Sequence, residues 1–145
     1  MKVSILIVDD TETDRYLLKR LLDKTSKDIL LSEASDGQRA VEFFDDYCRK
    51  KAADPERHPP LLIFLDINMP RMNGFEFLEQ FSSIRQDWGI MSTVVIMFSS
   101  SPRMDDKVQA FGWKFVKDFI VKGEFSHQEL DVLITDALAS AGKQS

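Results

Sequence analysis

The sequence predicts an α/β domain, a parallel sheet buried between two layers of helices, and three observations carry that reading. Residues 3–8, 61–65 and 93–98 are short, nearly unbroken apolar runs rich in Val, Ile, Leu and Phe, the pattern of strands covered on both faces. Longer segments between them repeat their apolar residues at helical spacing, so strand and helix alternate five times along the chain. Two of the runs end in carboxylates, Asp9-Asp10 and Asp66, at the edge where an open parallel sheet forms its ligand crevice.

The first strand, residues 3–8, leads into a helix over 12–24 with Leu17, Leu18, Leu21 and Leu22 on one face. A second strand, 29–34, stops at Asp36-Gly37, a turn and helix-start signal. Ala40, Val41, Phe44, Tyr47 and Cys48 then form the buried stripe of the second helix, which frays into a charged, proline-bearing surface loop over 50–60. The third strand ends at Asp66, and Asn73-Gly74-Phe75-Glu76 has the pattern of a capping box opening a helix whose inner face is Phe77, Leu78 and Phe81. The fourth strand runs into Ser99-Ser100-Ser101. Pro102 suits the first position of the fourth helix, with Ser101 as its cap and Gly112 as its early end. A fifth strand, 115–121, ends in Lys122-Gly123. A second capping box, Ser126-His127-Gln128-Glu129, opens a last helix carrying Leu130, Leu133, Ile134, Ala137 and Leu138. This gives one domain over 1–141 and a short polar tail over 142–145.

Composition narrows the classes. The 145 residues suffice for one domain burying roughly two thirds of its unfolded surface. A net charge of −5, with the basic residues scattered, argues against a nucleic-acid surface. The single cysteine, Cys48, excludes an intrachain disulfide and fits a reducing cytosol; it reads as a small packed residue. There is no signal peptide pattern and no run of membrane-spanning length, so a cytoplasmic protein without membrane association is expected. His58 and His127 lack partners at metal-ligand spacing and read as surface residues.

Chemistry gathers at the strand ends. Strand one supplies Asp9 and Asp10, strand three Asp66, strand four Ser99 and strand five Lys122. Crowded carboxylates repel unless a cation sits among them, and Mg²⁺ is the hard divalent ion that combines with carboxylates, waters and a substrate phosphate. A carboxylate nucleophile, a metal, a hydroxyl and an ammonium together suit transfer of a phosphoryl group onto a carboxylate, a reaction that asks mainly for positioning and charge neutralisation. Each residue alone has a plainer reading. Asp9-Asp10 is equally a solvated helix start, Ser99 a helix cap and Lys122 a solvated strand-end lysine; the second strand end carrying Asp66 is what turns the balance.

At these positions the chain resembles the receiver domain of two-component response regulators. The resemblance runs through Asp9-Asp10, the segment Leu65-Asp-Ile-Asn-Met-Pro-Arg-Met-Asn-Gly74, Ser99, Phe119 and Lys122. It implies a flavodoxin-like (βα)5 fold with strand order 2-1-3-4-5. It also implies Asp66 as phosphoacceptor, and Mg²⁺ held by Asp10, Asp9, Asp66 and the backbone carbonyl of Asn68. Ser99 and Phe119 become paired switch residues, and Lys122 the phosphate-binding lysine. The partners implied are a sensor histidine kinase or a histidine phosphotransfer protein and a downstream protein target. A monomer or weak homodimer is expected.

The family's usual proline after the lysine is Gly123 here. A cis Lys-Gly bond costs about 2.5–4 kcal/mol, so a trans bond and an altered loop are expected. With about twenty residues after Lys122 in the sequence, no output domain is expected, and signalling is expected to run by protein contact on the face of the fourth helix, fifth strand and fifth helix. An alternative within the family is a phosphorelay intermediate passing phosphate on to a histidine. Outside it, a Mg²⁺-dependent phosphohydrolase with an aspartate nucleophile is disfavoured by Asn68, which stands where such enzymes carry a carboxylate acid. A flavin-binding relative lacks the phosphate loop after strand one, and a degenerate receiver would have lost one of the acidic or lysine positions. Slow self-dephosphorylation is expected, but not conventional enzyme activity.

Overall fold

The computed structural model describes residues 2–50, 56–100 and 103–143, with residues 47, 49, 50, 142 and 143 as backbone only. In chain order the elements are β1 (Lys2–Val8), α1 (Glu12–Asp23), β2 (Asp28–Ala34), α2 (Gly37–Lys50), β3 (Leu62–Leu65), α3 (Gly74–Trp88), β4 (Val94–Ser99), α4 (Met104–Ala110), β5 (Val116–Val121) and α5 (His127–Lys143). The five strands form one parallel sheet in the order β2-β1-β3-β4-β5. This is the flavodoxin-like arrangement of receiver folds, as expected.

The apolar runs are continuous because both faces of the sheet are covered. Side chains alternate along a strand. Leu6, Val8, Ile63, Leu65, Val95 and Met97 therefore pack with Ala40, Phe44, Phe77, Leu78 and Phe81 of α2 and α3. Ile5, Ile7, Leu62, Phe64, Ile96 and Phe98 face the other way, onto Leu18 and Leu22 of α1 and Leu130 and Ile134 of α5. Val8 lies beside Leu65, and Leu65 beside Met97, so the ends of β1, β3 and β4 come level at one edge of the sheet.

Both capping boxes form. Asn73 accepts the Glu76 amide at 2.9 Å while Glu76 accepts the Asn73 amide at 3.0 Å. Ser126 and Glu129 exchange the same pair at 3.2 and 3.3 Å. Each box satisfies two amides that a helix start leaves unbonded. Cys48 is buried, and burial pushes its thiol toward the neutral form.

Four expectations change. Leu17 is 53% exposed, as is Tyr16; Leu18 and Leu22 already make the i, i+4 contact with the sheet, and one residue turns a helix by about 100°, which carries Leu17 off that face. Arg103 occupies the cap position of α4 and makes no side-chain cap hydrogen bond. The helix starts past the expected Pro102, with Asp105 and Asp106 in a first turn that favours carboxylates; Ser101 and Pro102 lie outside the described residues, as does the Tyr47 side chain. His58 is half-buried, its ring 4.2 Å from that of Phe43. The backbone of 142 and 143 continues α5, whereas 144 and 145 are outside the described residues. The Lys122–Gly123 bond is trans, with Gly123 at φ +82°, a left-handed turn that glycine adopts without a steric penalty. Among the described residues no helix is long and apolar enough to cross a membrane.

Candidate functional site

Asp9 and Asp10 follow β1 directly, and Asp66 follows β3, its neighbour in the sheet. Because the strands are parallel and in register, the three carboxylates meet. One oxygen from each lies within 4.8 Å of the others, a spacing that can hold a metal ion. Asp9 is fully buried, Asp66 is buried and Asp10 is exposed, so the cluster opens to solvent on one side.

Local hydrogen bonds fix two of the three side chains. Asp9 Oδ1 accepts the Thr11 amide at 2.9 Å, which pins the turn into α1. Asp66 Oδ1 accepts the Ile67 amide at 2.8 Å. The other oxygens, Asp9 Oδ2 and Asp66 Oδ2, turn toward Lys122 at the end of β5, whose Nζ lies 2.7 and 3.5 Å away. Asp9 Oδ2 is buried without an aligned hydrogen-bond donor among the described residues, so its contact with Lys122 is an ion pair by proximity. A buried carboxylate oxygen left in this state fits a cation, and three hard oxygen donors fit Mg²⁺ in particular.

Electrostatics follow from this crowding. Burial, then the charge of Asp9, pushes the Asp66 carboxyl up to about 7, with Asp10 adding to the rise and Lys122 and the Ile67 amide opposing it. For Lys122, burial favours the neutral amine, but the hydrogen bond to Asp14, the close contact with Asp9 and the charge of Asp66 outweigh it and hold the ammonium above the ordinary lysine value. Its Nζ also sits 5.3 Å over the Phe98 ring.

Ser99 is buried at the end of β4, beside β3, and its carbonyl accepts the Lys122 amide at 2.8 Å. The serine and lysine strand ends are thereby tied together. Phe119 is half-buried on β5 opposite Met97, with the Lys107 ammonium 5.7 Å above its ring. Asn68 is exposed, two residues past Asp66 in the loop that leads to α3. Gly74 closes that loop by donating its amide to the Ile67 carbonyl at 2.8 Å, and a Cβ there would collide with the Asp66 carbonyl oxygen. From the other side Arg71, at φ +66°, donates to the buried Asp36 at the start of α2 at 2.5 and 3.0 Å. All seven positions read from the sequence thus lie at the carboxyl ends of β1, β3 and β4 or on and just beyond β5. One partner escaped that reading. Asp14, in the first turn of α1, places Oδ2 2.8 Å from Lys122 Nζ across 108 residues of sequence.

This fold and this acidic edge define a receiver. The chain matches the model of the response regulator receiver domain over residues 5–135 and belongs to that family. Among curated relatives, Protein PilG of Pseudomonas aeruginosa is 30% identical over 128 residues, covering 88% of this chain and 82% of that protein. Probable histidine kinase 2 of rice is 29% identical over 108 residues, where the match covers 72% of this chain and only 10% of the kinase. Among solved structures, a two component response regulator from Cytophaga hutchinsonii superposes with a TM-score of 0.78 at 24% identity, covering 96% of this chain and 99% of that one. The receiver domain of the histidine kinase CKI1 from Arabidopsis thaliana, solved in complex with Mg²⁺, superposes at 0.74 with 20% identity, covering 92% and 90%. At these identities the structures speak for the fold. Receivers bind Mg²⁺ at an acidic pocket, and the pocket in this chain is the cluster of Asp9, Asp10 and Asp66.

Proposed function

We propose that the chain accepts a phosphoryl group on Asp66 from a sensor histidine kinase or a histidine phosphotransfer protein. The observation that carries this reading is the convergence of Asp9, Asp10 and Asp66 within 4.8 Å, with the Lys122 ammonium 3.5 Å from Asp66. An oxygen of Asp66 attacks phosphorus, the bond from phosphorus to the donor histidine nitrogen breaks, and the new bond is an acyl phosphate. Asp9, Asp10, Asp66 and the backbone carbonyl of Asn68 are the protein groups that would hold Mg²⁺. When bound, the ion supplies neutralising charge for a phosphoryl oxygen. Lys122 supplies a second positive charge and Ser99 a hydroxyl hydrogen bond, so charge spread over the phosphoryl oxygens meets pre-placed partners.

Asp66 is suited to its role by the bond its Oδ1 accepts from the Ile67 amide, which orients Oδ2 toward the open side and Lys122. Readout runs through Ser99 and Phe119 to the face of α4, β5 and α5, where Met104, Val108 and Phe111 of α4 and its end stand exposed at helical spacing. A second reading, a phosphate shuttle between histidines, draws support from the match to a segment of rice histidine kinases.

Incubation with Mg²⁺ and acetyl phosphate tests the reading. The intact chain gains one phosphoryl group, and Asp66→Asn gains none. Equal labelling of both would overturn it.

A further inference from the structure

The ammonium of Lys122 sits among three carboxylates, and the two nearest to it are Asp9 at 2.7 Å and Asp14 at 2.8 Å; Asp66 is the farthest at 3.5 Å. Asp14 is not one of the clustered carboxylates that can share a metal ion. It reaches Lys122 from α1, across the mouth of the pocket, with its side chain 30% exposed while that of Lys122 is 12% exposed. The geometry points to Asp14 as a positioning residue that holds the Lys122 ammonium against α1 and so weakens the hold of Lys122 on a phosphoryl group at Asp66. The inference rests on the phosphoacceptor reading above.

The reasoning is one of competition for a single charge. A lysine ammonium has three protons and no fixed fork, so it moves among acceptors according to their charge and distance. Asp9 and Asp66 have oxygens that a metal ion would engage, which leaves Asp14 as the carboxylate whose only ionic claim among the described residues is on Lys122. An anion bound at Asp66 must then share the ammonium with Asp14. That competition acts against the anion in a pocket screened less than open water. Asparagine at 14 keeps an oxygen that accepts from Lys122 but removes the charge, whereas glutamate keeps the charge on a longer arm.

Beryllofluoride, a stable mimic of the phosphoryl group, provides the probe. It is titrated at saturating Mg²⁺, so that any change in metal affinity drops out, and bound fluoride is read by fluorine NMR. The intact protein binds it. Asp14→Asn and Asp14→Ser bind about tenfold more tightly, the size expected from freeing one ammonium from a competing carboxylate in a partly screened pocket, and Asp14→Glu stays near the intact value. Urea unfolding of each variant identifies any that has lost its fold, and serine, well tolerated in a first helical turn, keeps the comparison available should asparagine fail. Equal or weaker binding by folded Asp14→Asn and Asp14→Ser overturns the inference while leaving the phosphoacceptor reading intact. Failure of the intact protein to bind at all overturns that reading and the inference with it.

Discussion

Replacing Asp66 by asparagine should stabilise the metal-free protein, and the gain should depend on pH in a defined way. The folded chain keeps the Asp66 proton up to about pH 7, because burial and then Asp9 disfavour its charge, whereas the unfolded chain releases it near the ordinary value of 3.8. Between those two values the folded state binds more protons than the unfolded state, so the contribution of Asp66 to stability falls as pH rises and is fully unfavourable above pH 7. At about 1.4 kcal/mol per tenfold change in acidity the full penalty is about 4 kcal/mol. Solvent entering from the open side reduces it to about 2 kcal/mol.

Asparagine removes the charge yet keeps an oxygen for the Ile67 amide. Urea unfolding in EDTA should therefore show Asp66→Asn more stable by about 2 kcal/mol at pH 8, with the difference vanishing below pH 4. Mg²⁺ at about a hundred times its dissociation constant adds about 2.7 kcal/mol to the intact protein and less to the variant, which narrows the difference between them. A variant no more stable than the intact chain at pH 8, or a difference indifferent to pH, would refute the argument that crowded carboxylates set the energetics of this pocket.

Other substitutions probe the supports. Lys122→Ala leaves Asp9 and Asp66 buried without their shared cation, and should cost about 3–5 kcal/mol in EDTA at neutral pH, part of it recovered on adding Mg²⁺; urea midpoints with and without the ion check this. Gly74→Ala drives a Cβ into the Asp66 carbonyl, so the loop to α3 must shift, and Mg²⁺ affinity measured by calorimetry should fall together with a loss of about 1–3 kcal/mol in stability. Asn73→Ala removes one half of the capping box beside the same loop and should cost about 1 kcal/mol, read from thermal unfolding. In the Mg²⁺-beryllofluoride complex a fluorine label on the Phe119 ring should report a more buried environment; an unchanged signal would count against its switch role.

Much of this was legible because parallel sheets buried on both faces leave a simple trace. Uninterrupted apolar runs mark β1, β3 and β4, and in a parallel sheet any carboxylate following such a run lands on the same edge as its neighbours. The capping boxes at Asn73 and Ser126 were readable because their chemistry is local, complete within four residues. The start of α4 was harder, since a proline permits a helix start but does not require one, and acidic residues further on serve the same end. Leu17 shows the limit of periodicity: adjacent leucines at 17 and 18 both fit a helical stripe, and only the position of the sheet selects Leu18. Asp14 was hidden for a different reason. Its significance is its distance to Lys122, a contact 108 residues long that no local pattern announces. An acidic residue in the first turn of the helix directly after the Asp9-Asp10 strand end was the available hint, since that turn faces the pocket.

The measurement that meets the central claim most directly is localisation of the acyl phosphate. The protein is exposed to acetyl phosphate and Mg²⁺ and then treated with borohydride, whose hydride reduces an aspartyl phosphate to homoserine with release of phosphate, and the modified residue is located by mass spectrometry. Homoserine at position 66, absent when Mg²⁺ is withheld, is the predicted result. Homoserine at another carboxylate, or none at all in a folded protein, would contradict the account.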